Sequence, residues 1–333
     1  MIVKTFVIGT ALTLVACSFT PRSAATSADA SSSTDGMGPL QFPSCIDLAP
    51  TCGPAGDEDC CSTATPIPGG SFFRSFDEAG DNMFPSNSHP ATVSAFRLDR
   101  FEVTVGRFRK FVEAGMGTQV HPPPAGSGAH AKIQDSGWDA SWNASLTTDT
   151  SILTANLIPW SASPGPEDNR PIGDITWFEA FAFCAWDGGF MPTETEWNYA
   201  ASGGSDQRAY PWSNPAATTV LNCAEANYGG PSYPSTACVP AGTSNVGSTS
   251  PNGDALWGQA DMGGNILEWV LDRFAGYAVP CDDCANLISG STRVLRGGDL
   301  ADVATSLRNG YRRGDVVPSM RFGGVGVRCA REP

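Results

Sequence analysis

Asp261 and Glu268 bracket the run Asp261-Met262-Gly263-Gly264-Asn265-Ile266-Leu267-Glu268-Trp269. Calcium takes several oxygen ligands at flexible geometry, drawn from carboxylates and exposed backbone carbonyls. Two carboxylates around a glycine-rich turn meet that demand, because glycines let carbonyls point inward. A hydrogen-bonded corner without an ion is the competing reading. Cys281-Asp282-Asp283-Cys284 is the chain's CxxC motif. Its two acidic neighbours would raise the thiol pKa and weaken it as a nucleophile, which favours a local structural disulfide. His89, His121 and His130 show neither HxxxH nor HExxH spacing, so they predict no zinc site and no serine–histidine pair.

Those groups need an element frame. Gly69–Phe73 and Ala91–Val103 alternate like strands, with Val93, Phe96, Leu98 and Phe101 predicted to be buried. Val105–Glu113 places Phe108, Phe111 and Val112 at helical spacing. Trp177–Trp186 is a second, unusually aromatic helix and reads as core. In Phe190–Gly204, FMPTETEWNYAASGG, Thr193 can cap a helix whose first turn holds Glu194 and Glu196, and paired glycines end it. Gly115–Trp160 is a long insertion with Trp138, Trp142 and Trp160, which either line a binding surface or anchor the loop on the core.

The N-terminus reads as a targeting segment. Lys4 precedes the apolar run Thr5–Ala16, and Leu14-Val15-Ala16-Cys17 resembles a bacterial lipobox. The expected organisation is a lipoprotein signal peptide at 1–16, then lipidated Cys17 with a flexible linker at 17–44. A Cys-rich collar at 45–65 and one domain at 66–333 follow. Ser18 after the lipidated cysteine points to the outer membrane of a bacterial envelope, with the membrane engaged through the lipid anchor.

Without Cys17, ten of the eleven cysteines remain, an even number in an exported chain. Cys45, Cys52, Cys60 and Cys61 form the collar cluster; adjacent Cys60 and Cys61 are expected to pair elsewhere than with each other. Their spacing does not suit a four-cysteine zinc knot. The chain carries 34 acidic against 20 basic residues, a net charge of −14. Apart from Arg308, Arg312 and Arg313 the basic residues are scattered, which argues against nucleic acid as a partner.

Together with the helix at Phe190–Gly204, three blocks resemble the formylglycine-generating enzyme (sulfatase-modifying factor) family. They are NRPIGDITWFEAFAFCAWDGG (Asn169–Gly189), DMGGNILEW (Asp261–Trp269) and RVLRGGDL with VGVRCA between Arg293 and Ala330. The resemblance runs from about Pro66 to the C-terminus. It implies an irregular, loop-rich α+β fold of the C-type-lectin-like kind, with little regular secondary structure.

Position by position, the resemblance implies calcium held by the Asp261 and Glu268 side chains and the Gly264 and Ile266 carbonyls, with Asn265 bracing the turn. The family's other calcium site matches at Asn222 and Cys223, but the expected aspartate is missing around Thr236-Ala237-Cys238. A Cys223–Cys238 disulfide could clamp that loop instead. The resemblance also implies a Cys184–Cys329 disulfide.

Family enzymes oxidise a target cysteine with copper on two active-site cysteines, because soft thiolates select Cu(I). Asp302 and Leu307 stand where those cysteines should be, and Asp299–Arg328 contains no thiol. Copper is therefore not expected, and calcium is the expected, structural cofactor. Sulfoxide synthases of ergothioneine synthesis use a similar domain, but their iron sits on a separate helical domain that nothing here resembles. The favoured reading is a non-catalytic, lipid-anchored protein that binds a small molecule or protein at the cell envelope. The alternative is an oxidoreductase acting on protein cysteine or with altered metal chemistry.

Overall fold

Thr176 and Thr193 start the two helices around which the fold is built. Each hydroxyl accepts from the backbone N–H of the third helical residue, and that residue's carboxylate (Glu179 or Glu196) accepts from the threonine N–H. These reciprocal caps satisfy donors that a buried helix end would otherwise leave open. In the computed structural model, which describes residues 42–229, 238 and 242–333, the helices are α1 (Val105–Glu113), α2 (Thr150–Thr154), α3 (Trp177–Trp186) and α4 (Glu194–Ser202). Gly203, left-handed at φ 65°, stops α4.

The strands are short: β1 (Gly70–Phe73), β2 (Pro90–Val93), β3 (Arg97–Leu98), β4 (Leu267–Arg273), β5 (Arg293–Arg296), β6 (Arg313–Val316), β7 (Val325–Gly326) and β8 (Ala330–Arg331). β1 pairs with β2 and β3 with β8, while β6-β5-β4-β7 form a four-stranded sheet in which β4 and β7 are parallel. The predicted strand Ala91–Val103 is thus broken in two. Its predicted core positions Val93, Phe96, Leu98 and Phe101 are nevertheless buried. The architecture is the loop-rich α+β fold the sequence implied.

β4 is buried on both faces. Leu267, Trp269 and Leu271 enter the core that holds α1 and α3, whereas Val270 enters a second core with α4 and β2. Side chains alternate across a strand, so Glu268 and Asp272 share Val270's face. Helix α4 lies against that face. Its Trp197 indole donates to Glu268 at 2.8 Å, and its Glu194 N–H donates to Asp272 at 2.7 Å.

Five disulfides cross-link the chain: Cys45–Cys61, Cys52–Cys60, Cys184–Cys329, Cys223–Cys238 and Cys281–Cys284. Cys184–Cys329 joins α3 to the last residues across 145 positions. The collar is part of the domain body, since Cys52 and Cys60 pack with Phe101, Val246 and Ala260. Trp138 and Trp142 settle the insertion as an anchored loop: Trp142 packs edge-on against Trp177 and Phe181, and Trp138 against Phe181. The signal-peptide and lipidation assignments, Cys17 included, fall outside the described residues. Among the described residues no helix is long and apolar enough to cross a membrane.

Candidate functional site

The Asp261–Trp269 block and the loop after β5 form one wall. Gly264 donates to the Gly297 carbonyl at 2.9 Å, and Leu300 N–H donates to the Asn265 carbonyl at 3.1 Å. Gly264 is left-handed at φ 92°, and a Cβ there would lie 2.5 Å from the Asn227 carbonyl, so the turn requires glycine.

Behind this wall lie three buried carboxylates: Glu102, Asp261 and Glu268. One guanidinium, Arg328, faces them. It contacts both Glu268 oxygens at 2.7–2.9 Å, and the Trp197 indole supplies a further donor. Asp261 accepts from the Gly247 N–H at 2.5 Å and weakly from the Thr249 hydroxyl. Burial pushes its carboxyl up to about 6. Both Glu102 oxygens accept from the Asn265 amide at 3.1–3.2 Å. Burial, reinforced by the charges of Asp261 and Glu268, pushes Glu102 well above the usual carboxylate range.

Asn265 braces the turn as expected, taking the Ser244 N–H on its amide oxygen at 2.8 Å. Only if all three acids ionise does the cluster carry a negative excess over Arg328, and a divalent cation would supply the charge that draws their protons off. Glu268, however, has protein donors on both oxygens. A calcium ion here would rest on Asp261 and the Gly264 and Ile266 carbonyls and would share Glu268 with Arg328. Glu102 was missed in the sequence because nothing near it resembles a ligand motif.

At the second implied calcium position, exposed Asn222 turns its amide oxygen onto the Ala224 N–H at 2.9 Å, and Cys223 is bonded to Cys238. Thr236 and Ala237 lie outside the described residues. The Cys223–Cys238 disulfide links the two ends of this loop.

Asp302 and Leu307 are not a ligand pair. Asp302 accepts from the Asp299 N–H at 3.0 Å and holds Gly229 through its own carbonyl. Leu307 is fully buried beside Ala209, Tyr210 and Ala226. Asp299 stands next to Asp302, and burial together with that neighbour's charge pushes it up to about 6. All ten cysteines among the described residues are in disulfides. These donors do not fit Cu(I), which needs thiolates.

The histidines are apart. His130 pairs with Glu196 at 3.0 Å, His121 meets the Gly115 carbonyl and His89 lies against the Tyr277 ring. Among the described residues no three side chains of His, Cys, Asp or Glu are grouped to hold a metal by themselves. The arginines singled out in the sequence are all paired: Arg308 with Asp77, Arg312 with Glu194 and Arg313 with Asp315.

Residues 54–333 match the family described as sulfatase-modifying factor enzyme 1-like domain. The chain belongs to this family. The match begins inside the disulfide-linked collar, which agrees with the collar's packing on the domain. A formylglycine-generating enzyme of Streptomyces coelicolor is 30% identical over 285 residues, covering 80% of this chain and 88% of the relative. The inactive C-alpha-formylglycine-generating enzyme 2 of Bos taurus is 27% identical over 278 residues, covering 79% and 86%. Among solved structures, PvdO from Pseudomonas aeruginosa superposes with a TM-score of 0.56 at 21% identity, over 83% of this chain and all of that one. That last likeness concerns the fold.

Proposed function

We propose that this sulfatase-modifying factor domain is a non-catalytic binding module, anchored to the bacterial envelope through lipidated Cys17 and stabilised by calcium at Asp261. One observation carries the non-catalytic reading. Ten cysteines are consumed by disulfides, while the positions of the family's copper ligands hold a turn-bracing aspartate and a core leucine. A relative named as inactive in the same family supports the idea that the fold serves without that chemistry. Copper has no role in this reading. The ligand is a protein or small molecule met at the envelope, and not a nucleic acid, since the net charge of −14 repels phosphate.

Calcium would act by binding the native state only, which stabilises it by mass action. The test is one preparation in two assays. Incubated with a cysteine-containing sulfatase peptide, with or without copper, the protein should leave the thiol unchanged; formylglycine in the product would restore the oxidoreductase alternative. In thermal unfolding, calcium should raise Tm and Asp261→Ala should remove the rise. A Tm indifferent to calcium and chelator would reduce the Asp261–Glu268 turn to a structural corner.

A further inference from the structure

The C-terminal end of β4 opens onto a cavity of about 290 Å³, separate from the Asp261 cluster at the other end of the strand. Two buried charges of opposite sign line it, and among the described residues neither has an ion-pair partner. Arg74 is 3% exposed. Its guanidinium donates to the Ala278 carbonyl at 2.6 Å and approaches the Cys284 sulfur at 3.6 Å, and its Nε has no partner. Asp272 is 5% exposed and accepts only the backbone N–H groups of Glu194 and Asn286, each at 2.7 Å.

The remaining charges nearby are spent on each other or on backbone carbonyls. Glu194 is clamped by Arg296 at 2.7 Å and Arg312 at 2.6 Å, with the Tyr277 hydroxyl bridging Glu194 and Arg296. Arg273 is tied to the carbonyls of Leu287 and Gly290. Among the described residues, Arg74 and Asp272 are thus the two nearly fully buried groups on the wall without an ion pair, Arg74 resting over the Tyr277 ring at 4.4 Å. Leu287, Ala285 and Ile288 add apolar surface, and Ile288 is 90% exposed.

An unpaired buried charge is costly unless an opposite charge joins it. A simple anion would satisfy Arg74 and be repelled by Asp272; a simple cation would satisfy Asp272 and face the guanidiniums of Arg74, Arg273 and Arg312. A molecule with both charges close together meets both demands. We propose that this cavity binds a free α-amino acid with an apolar side chain, its carboxylate on Arg74, its ammonium on Asp272 and its side chain toward Leu287 and Ile288. Burial and the Glu194 charge hold the unliganded Asp272 carboxyl at about 7. An arriving ammonium favours the ionised form, so binding below that value releases a proton to the buffer.

Calorimetric titration of the purified protein with leucine tests this. Two analogues, 4-methylpentanoate without the ammonium and 3-methylbutylamine without the carboxylate, should each bind at least about tenfold more weakly. Asp272→Asn should weaken leucine by about tenfold or more and leave 4-methylpentanoate unchanged, whereas Arg74→Met should weaken leucine and spare the amine. The leucine heat below neutral pH should vary with the ionisation enthalpy of the buffer. No leucine binding, or equal binding of leucine and either analogue, would overturn the proposal. The analogue series uses the unaltered protein, so it decides the matter even if a variant fails to fold.

Discussion

Strand β4 carries a buried carboxylate near each end, on one face and against one helix, yet the two are held in opposite ways. Glu268 meets the full fork of Arg328 and the Trp197 indole. Asp272 meets two backbone N–H groups, and burial drives its carboxyl to about 7. Both are almost completely hidden from water. Burial alone therefore does not decide how a buried acid is held; a guanidinium within direct hydrogen-bond reach does. Arg328 arrives from the segment between β7 and β8. Arg296 and Arg312 are already held by Glu194, whose carboxyl they keep below its ordinary value although burial opposes them, while Arg74 and Arg273 bond backbone carbonyls and do not reach Asp272. One end of the strand is a closed structural pair, and the other keeps an acid poised near neutrality.

The contrast can be broken most severely at the closed end. Arg328→Met should strand Glu268 as an unpaired buried charge and cost about 3–5 kcal/mol in denaturant unfolding. Adding Glu268→Gln should recover part of that loss, because the orphaned charge is then gone. A single-variant loss below about 1 kcal/mol would mean that the pair does not hold this end.

At the poised end the expectation concerns pH. Between the ordinary aspartate value and about 7, the folded state holds a proton on Asp272 that the unfolded chain has released. Stability from this group is therefore complete below the unfolded value and is lost as pH rises through about 7. Asp261 and Asp299, at about 6, act with the same sign and finish earlier. Asp272→Asn should flatten the upper part of the stability–pH curve by about 2–4 kcal/mol, leaving the lower part to the other two. An unchanged curve would show that Asp272 is ionised in the fold and that the two ends are alike.

A smaller effect separates α4 from its outer neighbour. His130 donates from its Nε2 to Glu196, and only the neutral ring accepts the Lys132 N–H on Nδ1. Burial lowers its basicity, but the Glu196 hydrogen bond and charge outweigh burial and raise the pKa. Its contribution is full below the unfolded value and fades as pH rises through the folded one. His130→Gln should cost about 1 kcal/mol in mildly acid solution and less in alkali. A cost that did not vary with pH would assign His130 to packing alone.

The parts of this molecule that sequence made legible are those with local causes. Helices α1, α3 and α4 start at Thr104, Thr176 and Thr193, whose hydroxyls cap groups three residues away, so their bounds are written in neighbouring side chains. Alternation placed Val93, Phe96, Leu98 and Phe101 in the core, although it did not show that the strand breaks there. Motif order made the family legible, and with it the Cys184–Cys329 bond and the absence of a thiol at Asp302 and Leu307.

What the tertiary structure alone decided is how charge is distributed inside the fold. Nothing near Glu268 in the chain announces Arg328, and nothing near Asp272 announces Arg74 or the cavity they border. Trp138 and Trp142 of the insertion become anchors only because Trp177 and Phe181, distant in the chain, receive them. Caps and periodicities act within a few residues and leave a pattern in the chain. Desolvation and ion pairing depend on which distant groups share a low-dielectric space, and that is defined only once the chain has closed on itself.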